Sequence, residues 1–331
     1  MPRARPELPT LKKVAAAAGV SASTVSRVYS HPQLLRPETV TRVRAVADEL
    51  GYVPHHPARA LKTGRIGAIA VVVPDIANPF FPPVIRAAED RAHDRDIYTL
   101  LADTDEMTEK EVTLLVQLQR RTDGVVLVSS RLSTEAIRNR STLHPLVLVN
   151  RDVEGVSRVL VDTAAGMREA VDHLADLAHR HVVYLAGPSS SWSDGQRRAA
   201  VLDRAQRRGV RVTVLGPHRP EHDEGMRAAA AVLETGATAV IAFDDVLAQG
   251  VLAGCAAAGV RIPQEMSLIG CDDILAVRTA PPLTTVRGPS RQAGALAVDF
   301  LLRLIDGVRE ETVERLPAPL VVRETTGPAP A

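Results

Sequence analysis

The chain has 331 residues, 45% of them apolar and 24% charged, which is enough to build two or three globular domains. It contains no run of about 18 apolar residues that could cross a membrane. No apolar segment follows its basic start as in a secretory signal, so we expect a cytoplasmic protein. Residues 1–65 hold eleven lysines and arginines against four acids, a net +7 that leaves −6 for the remainder and indicates a polyanionic partner for the first segment alone.

Only two cysteines occur, Cys255 and Cys271, and both lie in apolar stretches, VLAGCAAAG and SLIGCDD. Isolated cysteines of this kind are typical of reduced, buried thiols in a reducing compartment. A metal site would need more ligands nearby, and we expect neither a metal nor a cofactor.

The first fifty residues are predicted to form three short helices. Thr10 can cap the first helix and Ser21 the second, and Gly19 supplies the turn between them. The third helix begins at Pro37. Because Arg36 before it is not a capping residue, we expect the start of this helix to be less well capped.

Residues 52–65 form a basic connector punctuated by prolines. From residue 66 onward, apolar runs alternate with helical stretches. The first series of runs is IGAIAVVV, IYTLLA, GVVLVSS, PLVLVN and RVLVD, and the second is HVVYLAG, VRVTVL, TAVIAF and MSLIGC. Strands that are buried on both faces and separated by helices predict a doubly wound parallel sheet, and two series predict two such subdomains.

A helix, a glycine turn and a second helix at this spacing are typical of a helix-turn-helix motif. Its second helix enters the major groove with its N-terminal residues facing the bases, and the outward candidates are Ala22, Ser23 and Arg27. Arg27 could bond a guanine edge through two hydrogen bonds, which gives roughly 1–3 kcal/mol of discrimination. The hydroxyls that can bond phosphates, or each other, belong to Ser21, Thr24 and Ser26. A plain three-helix bundle is the alternative, and the charge of the segment favours DNA binding.

Long stretches of the chain resemble the lactose-repressor family of bacterial transcription regulators. In the first segment these stretches are TLKKVAAAAGVSASTVSRVYS, RPETVTRVRAVADELGYVP and ARAL. Further along they are VVVPDIANPFF, HLADLAHRHVVYLAGP, AFDDVLAQGVL and GCDDILAVRTAPPLTTV. The motifs stand in the family's order, and the resemblance covers nearly the whole chain.

The resemblance implies an α/β protein with an all-α helix-turn-helix head and two doubly wound parallel-sheet subdomains like those of periplasmic sugar-binding proteins. It also implies a homodimer that binds near-palindromic operators and responds to a small effector. The predicted boundaries are 1–51 for the DNA-binding domain, 52–65 for the hinge and 66–331 for the core, with one subdomain of about 66–161 and 290–319 and another of about 162–289 and 320–327.

By resemblance, the run PARAL at residues 57–61 folds as a short hinge helix when two chains meet over the minor groove. Leu61 would wedge between the central base steps, and Ala58 would let the two helices approach closely. Pro57 departs from the apolar, non-proline residue common there and fits only the first turn of a helix. Tyr52 is a further predicted DNA contact. The alternative for this run is a flexible linker.

Ligands of doubly wound sheets bind at the carboxyl ends of the strands, here in a cleft between two subdomains. The polar residues at those ends are Asp75, Asn78, Asn150, Arg151, Asp244 and Asp272. By resemblance, Arg197 matches the family's effector-clamping arginine, and Asp244 and Asp272 fall on positions that bond effector hydroxyls. Carboxylates, amides and guanidiniums around one cleft suit a ligand rich in hydroxyls. We interpret Asp245 and Asp273 as structural residues that cap the following helices.

One departure from the family weakens the interpretation as a sugar site. The family often has an aromatic residue a few positions before Gly225, and that place holds Pro220 here. Phe80 and Trp192 are the aromatic residues that could replace it in the effector site. A nucleoside or another small metabolite therefore stays open as the effector.

The sequence offers no pattern that favours catalysis. The nearby His173, His179 and His181 lack a carboxylate pair that would complete a metal site, and Ser189–Ser191 form no nucleophile elbow. We therefore predict a ligand-responsive, sequence-specific DNA-binding regulator and no enzyme. The favoured form is a repressor that binds a palindromic operator as a homodimer, with a sugar in the cleft and no membrane partner. The alternatives are a regulator that senses a nucleoside or other metabolite, and a solute-binding sensor without DNA function.

Overall fold

The computed structural model describes residues 9–52 and 65–330. The chain divides into two compact units; the first ends at Gly67 and the second begins at Ala68. Within the described ranges, no helix combines the length and the apolar character that a membrane-spanning segment needs. The predicted hinge, with Ala58 and Leu61, lies outside the described residues.

Over its described residues, the first unit, here called the head, contains three α-helices. They are α1 (Leu11–Ala17), α2 (Ala22–Ser30) and α3 (Pro37–Glu49), with a short 3-10 helix at Pro32–Leu34. The Thr10 hydroxyl accepts a hydrogen bond from the Lys13 N–H at 3.3 Å, and the Ser21 hydroxyl accepts one from the Thr24 N–H at 3.1 Å. Arg36 makes no side-chain capping bond. The three capping predictions are therefore confirmed.

The core of the head is made of small aliphatic side chains. Val14, Val25, Val28 and Val43 are fully buried, one or two from each helix. Gly19 adopts φ +66° between α1 and α2, a conformation that L-residues with a side chain rarely take. The glycine turn thus lets α2 fold back so that both helices share one core.

The second unit, here called the core, contains two six-stranded sheets. The strand order is β11-β5-β4-β3-β1-β2 in the first sheet and β12-β10-β9-β8-β6-β7 in the second. The first sheet comprises β1 (Ala68–Val73), β2 (Tyr98–Asp103), β3 (Gly124–Val128), β4 (Leu146–Val149), β5 (Arg158–Asp162) and β11 (Val313–Pro317). The second comprises β6 (His181–Leu185), β7 (Arg211–Leu215), β8 (Ala239–Ala242), β9 (Ser267–Asp272), β10 (Thr284–Arg287) and β12 (Leu320–Val321). All neighbouring strands run parallel except β12, which is antiparallel to β10.

Helices cover the sheets. They are α4 (Phe81–His93), α5 (Thr108–Leu118), α6 (Thr134–Leu143), α7 (Thr163–Asp176), α8 (Trp192–Arg208), α9 (His222–Glu234), α10 (Asp245–Ala257) and α11 (Ser290–Ile305), with a 3-10 helix at Ala276–Arg278. Helix α11 packs on α4 and on the first sheet, although the chain reaches it from the second. The chain thus crosses between the sheets three times, after β5, β10 and β11.

The predicted fold class is confirmed, because a helix-turn-helix head precedes two doubly wound, mainly parallel sheets. Each of the nine apolar runs that predicted a strand forms one. The strands β10, β11 and β12 were not predicted. All three are short and span only two to five residues. In addition, β11 lies at a sheet edge with most of its side chains exposed, so this strand does not require an apolar run.

Candidate functional site

The outer face of α2 carries the side chains predicted to contact DNA. Val25 and Val28 point into the core of the head, whereas Ser23 and Arg27 are exposed. The remaining predicted positions on this helix are half-buried: Ala22, Thr24 and Ser26. The structure therefore leaves Ser23 and Arg27 as the most accessible side chains at the start of the helix.

The hydroxyl groups at the start of α2 bond one another. The Ser21 oxygen lies 2.7 Å from the Ser23 hydroxyl and 2.8 Å from the Thr24 hydroxyl, in addition to its capping bond from the backbone. A cap of this kind typically contributes about 1 kcal/mol to stability. Ser21 thus has a structural role whether or not its hydroxyl also reaches a phosphate.

The position of Tyr52 does not fit its predicted role as a DNA contact. Its side chain is 7% exposed and belongs to the core of the head. The Tyr52 and Tyr29 ring centroids lie 6.4 Å apart in a tilted arrangement. An aromatic ring stabilises the folded protein more when it is buried in an aliphatic core than when it is exposed to solvent. Tyr52 follows the last helix of the head and closes such a core, and this is why its predicted role is corrected.

A polar cavity in the second unit brings together residues from both sheets. The space inside it that water molecules can occupy is about 30 Å³. Its lining consists of Asn78, Phe80, Phe81, Glu106, Ser129, Arg131, Asn150, Ser191, Ser193, Arg197, Pro220, Phe243, Asp244 and Asp272. Six of the nine predicted effector residues are in this set: Asn78, Phe80, Asn150, Arg197, Asp244 and Asp272. This volume is well below the roughly 300–1,000 Å³ of a typical small-molecule site, so the two walls lie close together in this structure.

Arg197 is the central cation of the wall that belongs to the second sheet. Its guanidinium donates to the Thr163 hydroxyl at 3.1 Å, to the Phe243 carbonyl at 2.6 Å and to Asp272 Oδ1 at 3.1 Å. The Arg197 guanidinium carbon also lies 4.8 Å from the centroid of the Phe243 ring. That ring packs on Gly187, where a Cβ would come within 2.5 Å of it. Arg197 is thereby held in one orientation and is 3% exposed.

Two carboxylates of this wall are buried and have raised pKa values. Burial raises the pKa of Asp272 to about 7, against the opposing effect of the Arg197 charge. Burial also raises the pKa of Asp244, although the Leu247 N–H and Asn78 amide donate to it and favour the charged form. A carboxyl group near its pKa at neutral pH, such as that of Asp272, can either donate or accept a hydrogen bond.

The wall that belongs to the first sheet carries a second buried ion pair. Arg131 donates to both oxygens of Glu106, with Nε 2.5 Å from Oε2 and Nη2 2.7 Å from Oε1. Arg131 also donates to the Ser129 carbonyl at 2.9 Å. The loop that carries it is held by Glu111, which accepts bonds from the Ser130 hydroxyl and the Arg131 N–H. Burial raises the pKa of Glu111.

One hydrogen bond joins the two walls inside the cavity. The Asn78 amide, which follows β1, donates to Asp244 Oδ2 at 3.0 Å, and Asp244 follows β8 of the second sheet. Asn78 in turn accepts from the Phe80 N–H at 2.9 Å, which fixes its side chain. Two polar groups that a ligand could use are thus bonded to each other in this structure.

Strained backbone conformations surround the cavity. Glu106, Ser129, Asn150 and Asp272 all have positive φ angles, of 58°, 48°, 54° and 111°. Residues other than glycine adopt this region only at a cost of order 1–3 kcal/mol, and such residues are concentrated at binding sites. All four belong to the cavity lining.

Three predicted effector residues do not line the cavity. Asp75 accepts a hydrogen bond from the Ala77 N–H at 2.8 Å and so forms a local turn. Arg151 directly follows Asn150, which lines the cavity, but the Arg151 side chain donates to the Leu132 carbonyl at 3.0 Å instead. Trp192 is half-buried at the first position of α8, and its neighbours Ser191 and Ser193 line the cavity instead.

The capping roles predicted for two aspartates are wrong. Asp244, rather than Asp245, caps α10, with Oδ1 accepting from the Leu247 N–H at 2.9 Å. Asp245 instead accepts from the Thr285 hydroxyl at 2.6 Å and from the Ile274 N–H at 2.9 Å. The predicted structural role of Asp273 takes a different form, since it makes ion pairs with two arginines, Arg287 and Arg323, both at 2.6 Å.

The three neighbouring histidines bond separate hydroxyl groups. The ring of His173 lies 2.9 Å from the Thr326 hydroxyl, and His181 lies 2.9 Å from the Thr213 hydroxyl. His179 is fully buried, 2.8 Å from the Thr238 hydroxyl. Over the part of the chain that the structure describes, no three His, Cys, Asp or Glu side chains are grouped as metal ligands would be.

Comparison with known proteins supports both halves of this arrangement. Residues 10–55 match the model of bacterial regulatory proteins of the lacI family, and residues 171–326 match a periplasmic binding protein-like domain. The HTH-type transcriptional regulator DegA of Bacillus subtilis is 32% identical to this chain over an alignment 331 positions long. The alignment covers 96% of this chain and 98% of DegA. The chain belongs to the lacI family. It is a ligand-responsive, DNA-binding transcriptional regulator.

Solved structures of LacI-family proteins share this fold. The lac repressor dimer bound to operator and the anti-inducer ONPF has a TM-score of 0.88 and 26% identity, and the match covers 97% of this chain and 100% of that one. A LacI family transcriptional regulator from Enterococcus faecium with bound ribose has a TM-score of 0.72 and 28% identity, over 80% of this chain and 100% of that one.

Sequence reasoning missed several lining residues of this LacI-family cavity. They are Phe81, Glu106, Ser129, Arg131, Ser191, Ser193 and Phe243, together with Pro220, which was noted only as a replacement for an aromatic residue. Ser129 and Arg131 directly follow β3, so the rule that polar residues at strand ends face the cleft would have found them. Glu106 follows β2 at the same offset as Arg131 follows β3, so the same rule reaches it, but the pairing of Glu106 with Arg131 has no signal in the sequence.

Proposed function

We propose that this LacI-family regulator is a cytoplasmic repressor that binds a palindromic operator as a homodimer and responds to a neutral, hydroxyl-rich effector in the cavity. The cavity itself carries this proposal, because it collects buried hydrogen-bonding groups from both sheets around one space. The proposed division of the chain is a DNA-binding domain at 1–51, a hinge at 52–65 and an effector-binding core at 66–331. Sheet membership supports two subdomains within that core, since β1–β5 and β11 form one sheet and β6–β10 and β12 the other.

The proposed DNA contacts begin with the exposed side chains of α2. Arg27 would read a guanine edge and Ser23 would lie beside it, while Ser21, Thr24 and Ser26 would approach the phosphates. The net charge of +7 over residues 1–65 supports contact with a polyanion. Ala58 and Leu61 keep their proposed roles in the hinge, on the strength of the family resemblance alone.

Exposed apolar side chains support the homodimer. β2 is the edge strand of the first sheet, and Tyr98, Leu100 and Leu101 on it are 60%, 38% and 43% exposed. Val116 on the neighbouring helix α5 is 47% exposed. Large exposed apolar side chains at a sheet edge are often found at protein interfaces. The related lac repressor was crystallised as a dimer on its operator, and we propose the same assembly for this chain.

The proposed effector is a sugar. The lining contains both hydrogen-bond donors and acceptors, and Phe80 and Phe243 contribute apolar side chains to it. Asn78, Asn150, Arg197, Asp244 and Asp272 are the proposed polar contacts, and the related regulator from Enterococcus faecium binds ribose. A nucleoside is the second candidate, because two aromatic rings in the lining could stack on a base.

The lining does not favour catalysis, which supports a binding site rather than an active site. Each lining arginine is paired with a carboxylate, and Asp244 caps α10, so these groups are committed to structure. We propose that the protein is not an enzyme and uses no cofactor or metal. Recovery of a bound sugar unchanged after prolonged incubation is the expected result.

Two measurements on the purified full chain test this function. Selection from randomised duplex DNA should yield a twofold-symmetric site whose affinity falls steeply with salt, because phosphate contacts release counterions. A thermal-shift screen of neutral sugars and nucleosides should yield a ligand that raises the melting temperature, since ligands that bind the native state alone stabilise it. A folded protein that selects no symmetric site, or that no neutral ligand stabilises, would contradict the corresponding half of the proposal.

A further inference from the structure

The two arginines of the cavity are neutralised in different ways. Arg197 donates to a hydroxyl, a backbone carbonyl and a carboxylate, so its charge is spread over three fixed partners. Arg131 has one backbone acceptor, the Ser129 carbonyl, and otherwise depends on the two oxygens of Glu106. The Arg131 and Glu106 side chains are 4% and 11% exposed, so water screens this pair little.

The balance of charge in the cavity follows from these pairs. The described lining holds two guanidiniums and three carboxylates, and each guanidinium has a carboxylate partner. A ligand that brings a phosphate or carboxylate group would therefore find no unpaired cation in the lining and would face Glu106 directly. If Glu106 were neutral, Arg131 would present a planar, buried guanidinium, which is the side chain best suited to bind phosphate.

We propose that Glu106 is a specificity-determining residue that keeps anionic ligands out of the effector cavity. The Glu106–Arg131 pair admits neutral sugars or nucleosides and rejects their phosphorylated forms, because the carboxylate both occupies the guanidinium and repels a second anion. This inference rests on the proposed function of the cavity as an effector site. It adds the charge class of the ligand and names the residue that sets it.

The backbone conformation at position 106 determines which substitution can test the proposed role of Glu106. Glu106 has φ +58°, a left-handed conformation that asparagine tolerates better than most residues. Asparagine is also neutral and one methylene shorter than glutamate, so Glu106→Asn removes the charge and leaves room for an anion beside Arg131. The neighbouring Asp105 has φ +50° and an exposed side chain, so Asp105→Asn removes the same charge at a matched backbone position outside the lining.

The experiment measures thermal unfolding of the full chain in increasing inorganic phosphate, with chloride as the balancing salt at constant ionic strength. Phosphate should stabilise wild type and Asp105→Asn no more than chloride does. It should stabilise Glu106→Asn specifically, with an apparent Kd at least about tenfold lower than for wild type. The double variant Glu106→Asn/Arg131→Met should lose this response, because the guanidinium that binds the anion is gone.

Three outcomes would overturn the proposal: a folded Glu106→Asn variant that phosphate does not stabilise, a wild type that phosphate stabilises equally, or a double variant that keeps the response. If Glu106→Asn unfolds in chloride but folds in phosphate, the proposal is supported. If it folds in neither salt, Glu106→Gln, which keeps the length of the side chain, is measured against the same criteria. Failure of the effector function itself would appear separately, as a wild type that no neutral sugar or nucleoside stabilises.

Discussion

The head and the core use their arginines in opposite ways. On the head, Arg27 is exposed on the outer face of α2 and has no bonded partner among the described residues. In the core, Arg131 and Arg197 are buried and each is paired with a carboxylate. The same side chain is therefore available to an external anion in one region and already neutralised in the other.

This contrast corresponds to the two ligands of different charge that we propose for the chain, namely DNA at the head and a neutral effector in the core. The charge segregates as +7 over residues 1–65 and −6 over the remainder, so a polyanion is attracted to the head and not to the core. Within the core, buried ion pairs offer directional hydrogen bonds without a net positive charge. Each of the following predictions changes one arginine or its partner and thus tests one side of the contrast.

The largest effect is expected for Arg197→Met. Removal of the guanidinium leaves Asp272 buried without its cation, and breaking a buried pair in this way costs about 3–5 kcal/mol. The free energy of unfolding from urea denaturation should fall by that amount, and the response to the neutral ligand found by thermal shift should be lost. Arg198→Met, an exposed position on the same helix, serves as the control and should change neither quantity. A fully stable Arg197→Met variant would contradict the pairing.

A pH-dependent stability is expected from Asp272. Burial raises its pKa from the ordinary value of 3.8 to about 7, so between these values the folded protein binds more protons at this site than the unfolded chain. This contribution is fully present below pH 3.8 and is lost as the pH rises through about 7, with a limiting slope of about 1.4 kcal/mol per pH unit.

The variant Asp272→Asn isolates that contribution. Buried carboxyls that do not interact with Asp272, such as Glu111, are present in both proteins and cancel in the comparison. Unfolding free energies measured from about pH 5 to 8 should fall for wild type relative to Asp272→Asn up to about pH 7 and run parallel above it. Parallel curves over the whole range would show that the carboxyl does not titrate in this window.

The accuracy of sequence reasoning also differed between the two regions. In the head, Thr10 and Ser21 were correctly predicted as caps, because capping depends on the side chain and the few residues after it. In the core, Asn150 and Asp272 were placed in the lining by their position at strand ends. The same rule also predicted Arg151, which does not line the cavity, because adjacent residues point to opposite sides and the sequence does not reveal which one faces the cleft.

Other features of the site depend on contacts between distant parts of the chain. Glu106 and Arg131 are 25 positions apart and meet only because β2 and β3 flank β1 in the first sheet. Tyr52 follows the last helix of the head, and its burial depends on the space left by three helices. No local pattern encodes such distances, so these residues required the structure.

Arg27→Ala tests the exposed side of the contrast. Because this side chain is accessible and free of partners in the described part of the chain, its loss should not change the stability of the head. It should lower discrimination between the selected site and a variant at one base pair by about 1–3 kcal/mol. Fluorescence anisotropy with both duplexes measures this. Equal losses of affinity for specific and non-specific DNA would indicate a phosphate contact instead of base reading.

The smallest effect is expected where an arginine of the core is paired but exposed. Arg219 contacts Asp105 at 3.0 Å, and the side chains are 52% and 57% exposed, so this bond links loops of the two sheets next to the cavity lining. Exposed pairs contribute about 0–1 kcal/mol and are screened by salt. Arg219→Gln should therefore weaken binding of the neutral ligand by less than about fivefold at low salt, and the difference should vanish at high salt.

Arg207→Gln, which removes a similar exposed pair with Asp203 on α8, should leave ligand affinity unchanged. A large, salt-independent loss for Arg219→Gln would mean that exposure does not separate weak pairs from strong ones here, and the contrast between buried and exposed arginines would fail within the core itself.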